Sequence, residues 1–286
     1  MRAAVPEGVQ RHGQLPRRPP VAGEDPGTLQ EPQVRAMFDR IAGLYDRMNT
    51  VMTAGLHHEW RRRAADLAAL EPGDRALDVA TGTGDLAIEL SRRVAPGGGV
   101  VGTDFSPRML ELARAKVAEI PPAGRGMAPV AAATAPGGEA IAPAGGGMAS
   151  MVRFESANAL ALPYGDREFD VAATAFGARN FADLDRGLGE MTRVVRPGGR
   201  VVVLEITTPR RPPLSWFFGL WFDQLVPALG RLAGDAQAYS YLPSSVRRFP
   251  GPEELAAVMW RGGLRDVRYV VLAGGIIALH VGVKEP

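Results

Sequence analysis

Residues 77–90, LDVATGTGDLAIEL, run from an apolar stretch through a glycine-containing turn into a helical pattern. Gly82 and Gly84 would let a ligand come close to the backbone N–H groups at the start of that helix, with Thr83 between them. Asp104 follows twenty residues after Gly84, at the end of the next apolar run, where a carboxylate can accept both hydroxyls of a ribose. Gly82-Thr83-Gly84-Asp85-Leu86-Ala87 also satisfies the G-x-G-x-x-A form of the dinucleotide fingerprint. At this point NAD and S-adenosylmethionine are both open as ligands, beside the bland reading of glycines that only serve a tight turn.

Three further features separate the two. Asp78 lies inside the strand before the glycines, where dinucleotide folds usually carry an apolar residue. SANALALPYGDREFD at 156–170 places Asn158–Ala159 at a strand end, able to face an adenine, and RVVRPGGRVVVLE at 193–205 ends a helix in Pro-Gly-Gly before a strand. These segments resemble the class I S-adenosylmethionine-dependent methyltransferases, a Rossmann-like α/β class whose seven-stranded, mostly parallel sheet ends in an antiparallel hairpin. A nicotinamide-dependent oxidoreductase becomes the alternative, together with some other class I small-molecule methyltransferase.

FDRIAGLYDRMNTVMTAGLHHEWRR at 38–62 resembles the N-terminal signature of the ubiquinone/menaquinone biosynthesis C-methyltransferases, a Tyr-Asp-x-Met-Asn run followed by His and Trp. TAFGARNF at 174–181 is similar to that family's Phe-Gly-x-Arg-Asn segment, RVVRPGGRVVVLEI to its second signature, and DAQAYSYLPSSVRRFP and GGIIALHVG match towards the C-terminus. The resemblance covers about 34–120 and 151–284. It implies methyl transfer from S-adenosylmethionine to a ring carbon of demethylmenaquinol, or of the related benzoquinol. It carries cofactor contacts onto Thr83, Asp104 and the pair Asn158–Ala159, beside Gly82 and Gly84. Ala175 stands where the family often has Ser, which removes one hydrogen bond.

A sulfonium methyl is already electrophilic, so the protein's task is alignment and activation of the carbon nucleophile. A phenol titrates at about 10 in water, and a guanidinium that favours the phenolate would make the neighbouring ring carbon nucleophilic. Arg179 and Asn180, past the end of an apolar strand, are the candidates, with Tyr45 as a third. His57 and His58 are expected in core or surface roles.

The elements that must position these residues alternate in type. Apolar strand patterns fall at 75–80, 99–104, 151–156, 169–174, 200–206, 266–272 and 276–283, and helical ones at 84–94, 107–118, 183–195 and 252–262. Ala273, Gly274 and Gly275 are too short a link for a parallel crossover, so the last two strands should form a hairpin. The 286 residues are 46% hydrophobic, enough for a real core. Residues 1–32, with six prolines, read as a disordered leader; 33–286 form the methyltransferase domain. Ten alanines, seven glycines and five prolines mark 121–150 as a low-complexity, disordered insertion within it.

A net charge of +2 points away from nucleic acid, and the absence of cysteine excludes disulfides and thiolate nucleophiles. Four histidines leave little for a metal site, and none is expected. No export segment and no spanning run of about 18 apolar residues is present. PLSWFFGLWFDQLVPALG at 213–230 suits a helix lining a prenyl tunnel, a membrane interface or a dimer face. The expected place is the cytoplasm, at most peripheral to the inner face of the membrane. The expected partner is a polyprenyl quinol, with homo-oligomer formation left open.

Overall fold

A computed structural model describes residues 10–11, 31–120, 151–209, 211–221, 224 and 236–285. The sheet has eight strands, one of them only two residues long: β1 (Gln10–Arg11), β2 (Arg75–Val79), β3 (Gly99–Asp104), β4 (Val152–Ser156), β5 (Phe169–Ala175), β6 (Val195–Ile206), β7 (Leu264–Leu272) and β8 (Ile277–Lys284). Their order is β1-β7-β8-β6-β5-β2-β3-β4. Strands β2 to β6 pair in parallel, β8 runs antiparallel between β6 and β7, and β1 adds antiparallel to β7. The expected seven strands and terminal hairpin are present. Within 1–32, Gln10–Arg11 pair with β7 and the first long helix starts at Glu31; the other residues of that segment lie outside those described, as does 121–150.

The helices are α1 (Glu31–Thr53), α2 (Leu56–Ala68), α3 (Asp85–Val94), α4 (Pro107–Ala118), α5 (Leu184–Val194), α6 (Leu214–Leu220), α7 (Ala236–Arg248) and α8 (Pro252–Arg261). Side chains alternate between two cores because successive strand residues point to opposite faces. Val201 and Val203 of β6 join Leu77, Val79, Leu188, Met191, Leu255 and Met259 on one face. Val202 and Leu204 join Trp60, Leu86, Leu90 and Leu110 on the other. Both faces being covered, β6 can read as the unbroken run Val-Val-Val-Leu.

β6 begins at Val195, five residues before the expected start. Its ladder with β5 passes from Val195 opposite Phe169 to Arg200 opposite Val171, so Arg196–Gly199, with Gly198 at φ +79°, bulges out of the pairing. The Pro-Gly-Gly that reads as a break in sequence is this bulge.

Candidate active site

Strand order reverses between β2 and β5, and a ligand crevice is expected beyond the carboxyl ends of strands at such a point. There the loops after the two strands interlock: a Cβ on Gly177 would stand 2.6 Å from that of Ala80. Ala80 and Phe176 hold positive φ of 55° and 62° without being glycine, backbone strain of the kind that clusters around ligands. A cleft opens beside them.

Of the residues singled out in sequence, Gly82, Thr83, Asp104, Asn158, Ala159, Asn180 and Tyr45 line this cleft. Gly84 acts one step behind it, capping α3 at φ +84° against Phe154, whose ring tip would lie 2.9 Å from any added Cβ. Asp104 ends β3 buried, and its two oxygens accept from Gly82 N and Ser106 N, each at 2.9 Å. Burial pushes its carboxyl up to about 6 despite those donors. Asn158 Oδ1 accepts from Leu160 N at 2.8 Å, which fixes the turn after β4.

Helix α1 closes the cleft, which the sequence patterns did not disclose. Glu31, Asp39 and Asp46 recur at about two-turn spacing and so share a face. Glu31 Oε1 accepts from Asn158 Nδ2 at 2.8 Å, Asp39 Oδ1 from Ser106 Oγ at 2.6 Å, and Asp46 Oδ1 from Thr83 Oγ1 at 2.6 Å. On that helix Phe38 and Tyr45 pack edge to face at 6.1 Å, and both line the cleft. Arg61 of α2 lines it too, and it went unnoticed in sequence although it stands four residues after His57 on one helix face.

Arg179 changes in role. It does not line the cleft but lies under its wall, 7% exposed, with Nη1 2.7 Å from Oε1 of Glu205, itself 1% exposed. Burial would lower its affinity for the proton, but the Glu205 carboxylate outweighs burial and holds the guanidinium above its usual range. Nη1 also donates to Phe176 O, while Arg179 Nε is buried without a partner. A guanidinium free to meet a phenolate is therefore not what the fold provides. Asn180, next in sequence, reaches the cleft, and its Oδ1 accepts from Tyr241 Oη at 3.1 Å.

The ubiE/COQ5 methyltransferase family model matches residues 27–125 and 138–284. The chain belongs to the ubiE/COQ5 methyltransferase family. Its match is interrupted within the alanine- and glycine-rich insertion. A demethylmenaquinone methyltransferase of Thermus thermophilus is 45% identical, over 86% of this chain and 99% of that protein. One of Deinococcus radiodurans is 43% identical, over 94% of this chain and 98% of that protein. A solved SAM-dependent methyltransferase from Thermotoga maritima shares the fold, with a TM-score of 0.56 at 18% identity, over 87% of this chain and 99% of that one.

The methyl donor is S-adenosylmethionine, and the donor set fits it. Asp104 retains acceptor capacity on both carboxylate oxygens for a vicinal diol, and Ala157, Leu160, Phe105 and Met109 supply apolar walls for a flat base beside it.

Proposed function

We propose that the protein methylates a ring carbon of demethylmenaquinol. The observation that carries this reading is the near-complete coverage of relatives named demethylmenaquinone methyltransferase. Aromatic side chains lining the cleft, Phe38, Tyr45, Phe176 and Phe181, support it as surfaces for a naphthoquinol ring.

The sulfonium supplies an electrophilic methyl group. When bound, that donor would pass its methyl group to the ring carbon with S-adenosylhomocysteine as the leaving group, and the displaced ring proton would go to water as the ring regains aromaticity. The chain's part is to lower the cost of the phenolate and to align the ring. Because Tyr241 donates to its Oδ1, the Asn180 amide presents Nδ2 as a donor for a quinol oxygen. Tyr45 faces the same cleft. Arg179 acts from behind, through the field of the Arg179–Glu205 pair and through the Phe176 carbonyl that it holds.

Helix α6 supports delivery of a polyprenyl substrate from a membrane surface. Phe218 is buried, whereas Trp216, Phe217 and Leu220 are 72%, 54% and 50% exposed. No described helix is long and apolar enough to cross a membrane. A cytoplasmic enzyme that touches the inner face of the membrane through this helix fits these facts; the rest of 213–230 is largely outside the described residues.

Quinones extracted from a strain lacking the gene test the reading. Accumulation of demethylmenaquinone, reversed by the wild-type gene, is expected. Accumulation of a demethylated benzoquinone alone would assign the other ring.

A further inference from the structure

Beyond the nucleoside contacts, the cleft continues towards β2 and β5 into a group of charges with no assigned task. The order of ligand residues along the sheet edge sets the direction. Asn158 follows β4, Asp104 ends β3, Thr81–Thr83 follow β2 and Phe176 follows β5. A nucleoside held at the first two must send its remaining substituent towards the last two. There Arg61 lies over the Phe176 ring at 5.1 Å, and Asp85 stands 3.6 Å from Arg61 Nη1.

The partners of Arg61 are unusual for a buried guanidinium. His57 Nδ1 accepts from Nη1, and His57 Nε2 lies 3.2 Å from Thr50 Oγ1, which itself donates to Asp46 O. The chain of donors therefore fixes the proton of His57 on Nε2. Burial first, then the Arg61 charge, pushes His57 down to about 4, so it is neutral when it holds Arg61. A neutral imidazole orients the guanidinium without cancelling its charge. All hydrogen bonds and the ion pair of Arg61 among the described residues go through Nη1, leaving Nε and Nη2 as a donor edge for another group.

Asp85 is 13% exposed and lines the cleft, anchored at 2.7 Å by Lys116, which also binds Asp46. His57, His58 and Asp85 bring ligand atoms within 4.8 Å of one another. Arg61 and Thr50 already engage both ring nitrogens of His57, however, and Lys116 engages Asp85. This turns the cluster towards a ligand carrying both charges rather than a metal cation.

We infer that Arg61 and Asp85 form a clamp for a zwitterionic α-amino acid: Arg61 takes the carboxylate and Asp85 the ammonium at the methionine end of the cofactor. His57 is the positioning residue for Arg61. The inference rests on S-adenosylmethionine being the ligand of the cleft.

Calorimetry on the full chain separates the two ends of the ligand. S-adenosylhomocysteine carries the amino-acid end, and 5′-methylthioadenosine lacks it. Arg61→Met keeps an apolar stem against Phe176, and it should weaken S-adenosylhomocysteine about 10–100-fold while moving 5′-methylthioadenosine by less than about twofold, the scale of a charge-assisted hydrogen bond. Arg61→Lys should recover part of the loss and guards against a variant that does not fold. Asp85→Asn should show the same selectivity. Equal loss for both ligands, or loss for neither, overturns the clamp. Wild-type protein that binds both ligands equally also overturns it, and wild-type protein that binds neither removes the cofactor reading itself.

Discussion

Arg179 Nη1 meets Glu205 Oε1 at 2.7 Å, and Glu205 is further held by the backbone N–H groups of Arg179 and Ile206 at 3.2 and 2.8 Å. The pair joins the short helical turn after β5 to the end of β6, directly under the cleft that Asn180 enters. A charge this deeply buried cannot lose its partner cheaply. The consequence is that the Arg-Asn dipeptide divides its work: the arginine builds the wall and its field, and the asparagine faces the ligand.

Arg179→Ala should lower stability by roughly 3–5 kcal/mol, the scale for stranding a buried charge, here Glu205. The double variant Arg179→Met, Glu205→Gln should recover much of that loss in a thermal melt. If the pair's field assists the reaction, the double variant stays on the order of 10²–10³-fold slow while it still binds S-adenosylhomocysteine. Recovery of turnover together with stability would reduce Arg179 to a structural post.

Asp104 supports a pH prediction for the cofactor. Its carboxyl is pushed up to about 6 by burial, and only the ionised form accepts two ribose hydroxyls with full strength. Affinity for S-adenosylhomocysteine should therefore fall as pH drops from 8 through 6 to 5. Asp104→Asn should bind about 10–100-fold more weakly at pH 8 and lose most of that dependence. An unchanged pH dependence in the variant would place the titrating group elsewhere.

Local chemistry was legible in sequence where one segment forms a whole contact. The strand, the turn at Gly82 and Gly84, and the acid at the end of β3 are contiguous or one strand apart, so their spacing carries the site. The hairpin was legible because three residues cannot span a crossover. What stayed hidden depends on pairings far apart in the chain. Glu205 is 26 residues from Arg179, and Asp46 is 37 from Thr83. Nothing in FGARNF discloses that its arginine is already spoken for. The three acids of α1 repeat at helical spacing, but an exposed polar stripe carries the same pattern, and only the fold shows that this face lies on the cleft.

Asp78 gives a stability prediction. It is 1% exposed; Thr81 Oγ1 donates to its Oδ2 at 2.6 Å, and Oδ1 has no partner. Burial outweighs that donor and the nearby Arg61, pushing its carboxyl up to about 7 from 3.8, with the Asp104 charge adding in the same direction. A carboxyl raised in the folded state contributes stability that is complete below 3.8 and lost as pH rises through 7. His57 and His280, both pushed down to about 4 with burial as the largest cause, act in the opposite sense: their contribution is complete above 6.5 and is lost as pH falls towards 4. Asp78→Asn removes only the first effect. Its melting temperature relative to wild type should be highest at pH 8 and decline towards pH 5. A constant difference over that range would mean that Asp78 does not titrate there.

The exposed face of α6 yields the last prediction. Trp216 and Phe217 point outward, whereas Trp221 stacks on Phe217 at 6.0 Å and packs into the cluster of Met37, Met48, Met52 and Tyr241. Polar substitution of Trp221 would therefore mix a loss of packing with a loss of surface. Trp216→Ser with Phe217→Ser changes the outer face, gives up the Phe217–Trp221 stack, and leaves both Trp221 and Phe218, the buried residue of the helix, in place. Bilayer interfaces favour tryptophan and phenylalanine because an apolar ring gains from partial burial there. The double variant should sediment less with anionic liposomes and turn over a long-tailed demethylmenaquinol more slowly. With a short-tailed analogue in detergent-free buffer its kcat/KM should stay within about twofold of wild type, since surface changes of this kind leave stability within about 0.5 kcal/mol. An equal drop on both substrates would show that the aromatic pair shapes the cleft instead of meeting the lipid. Unchanged liposome binding would move the membrane contact to another exposed apolar group among the described residues, such as Leu44, Val51 and Leu56 on α1 and α2.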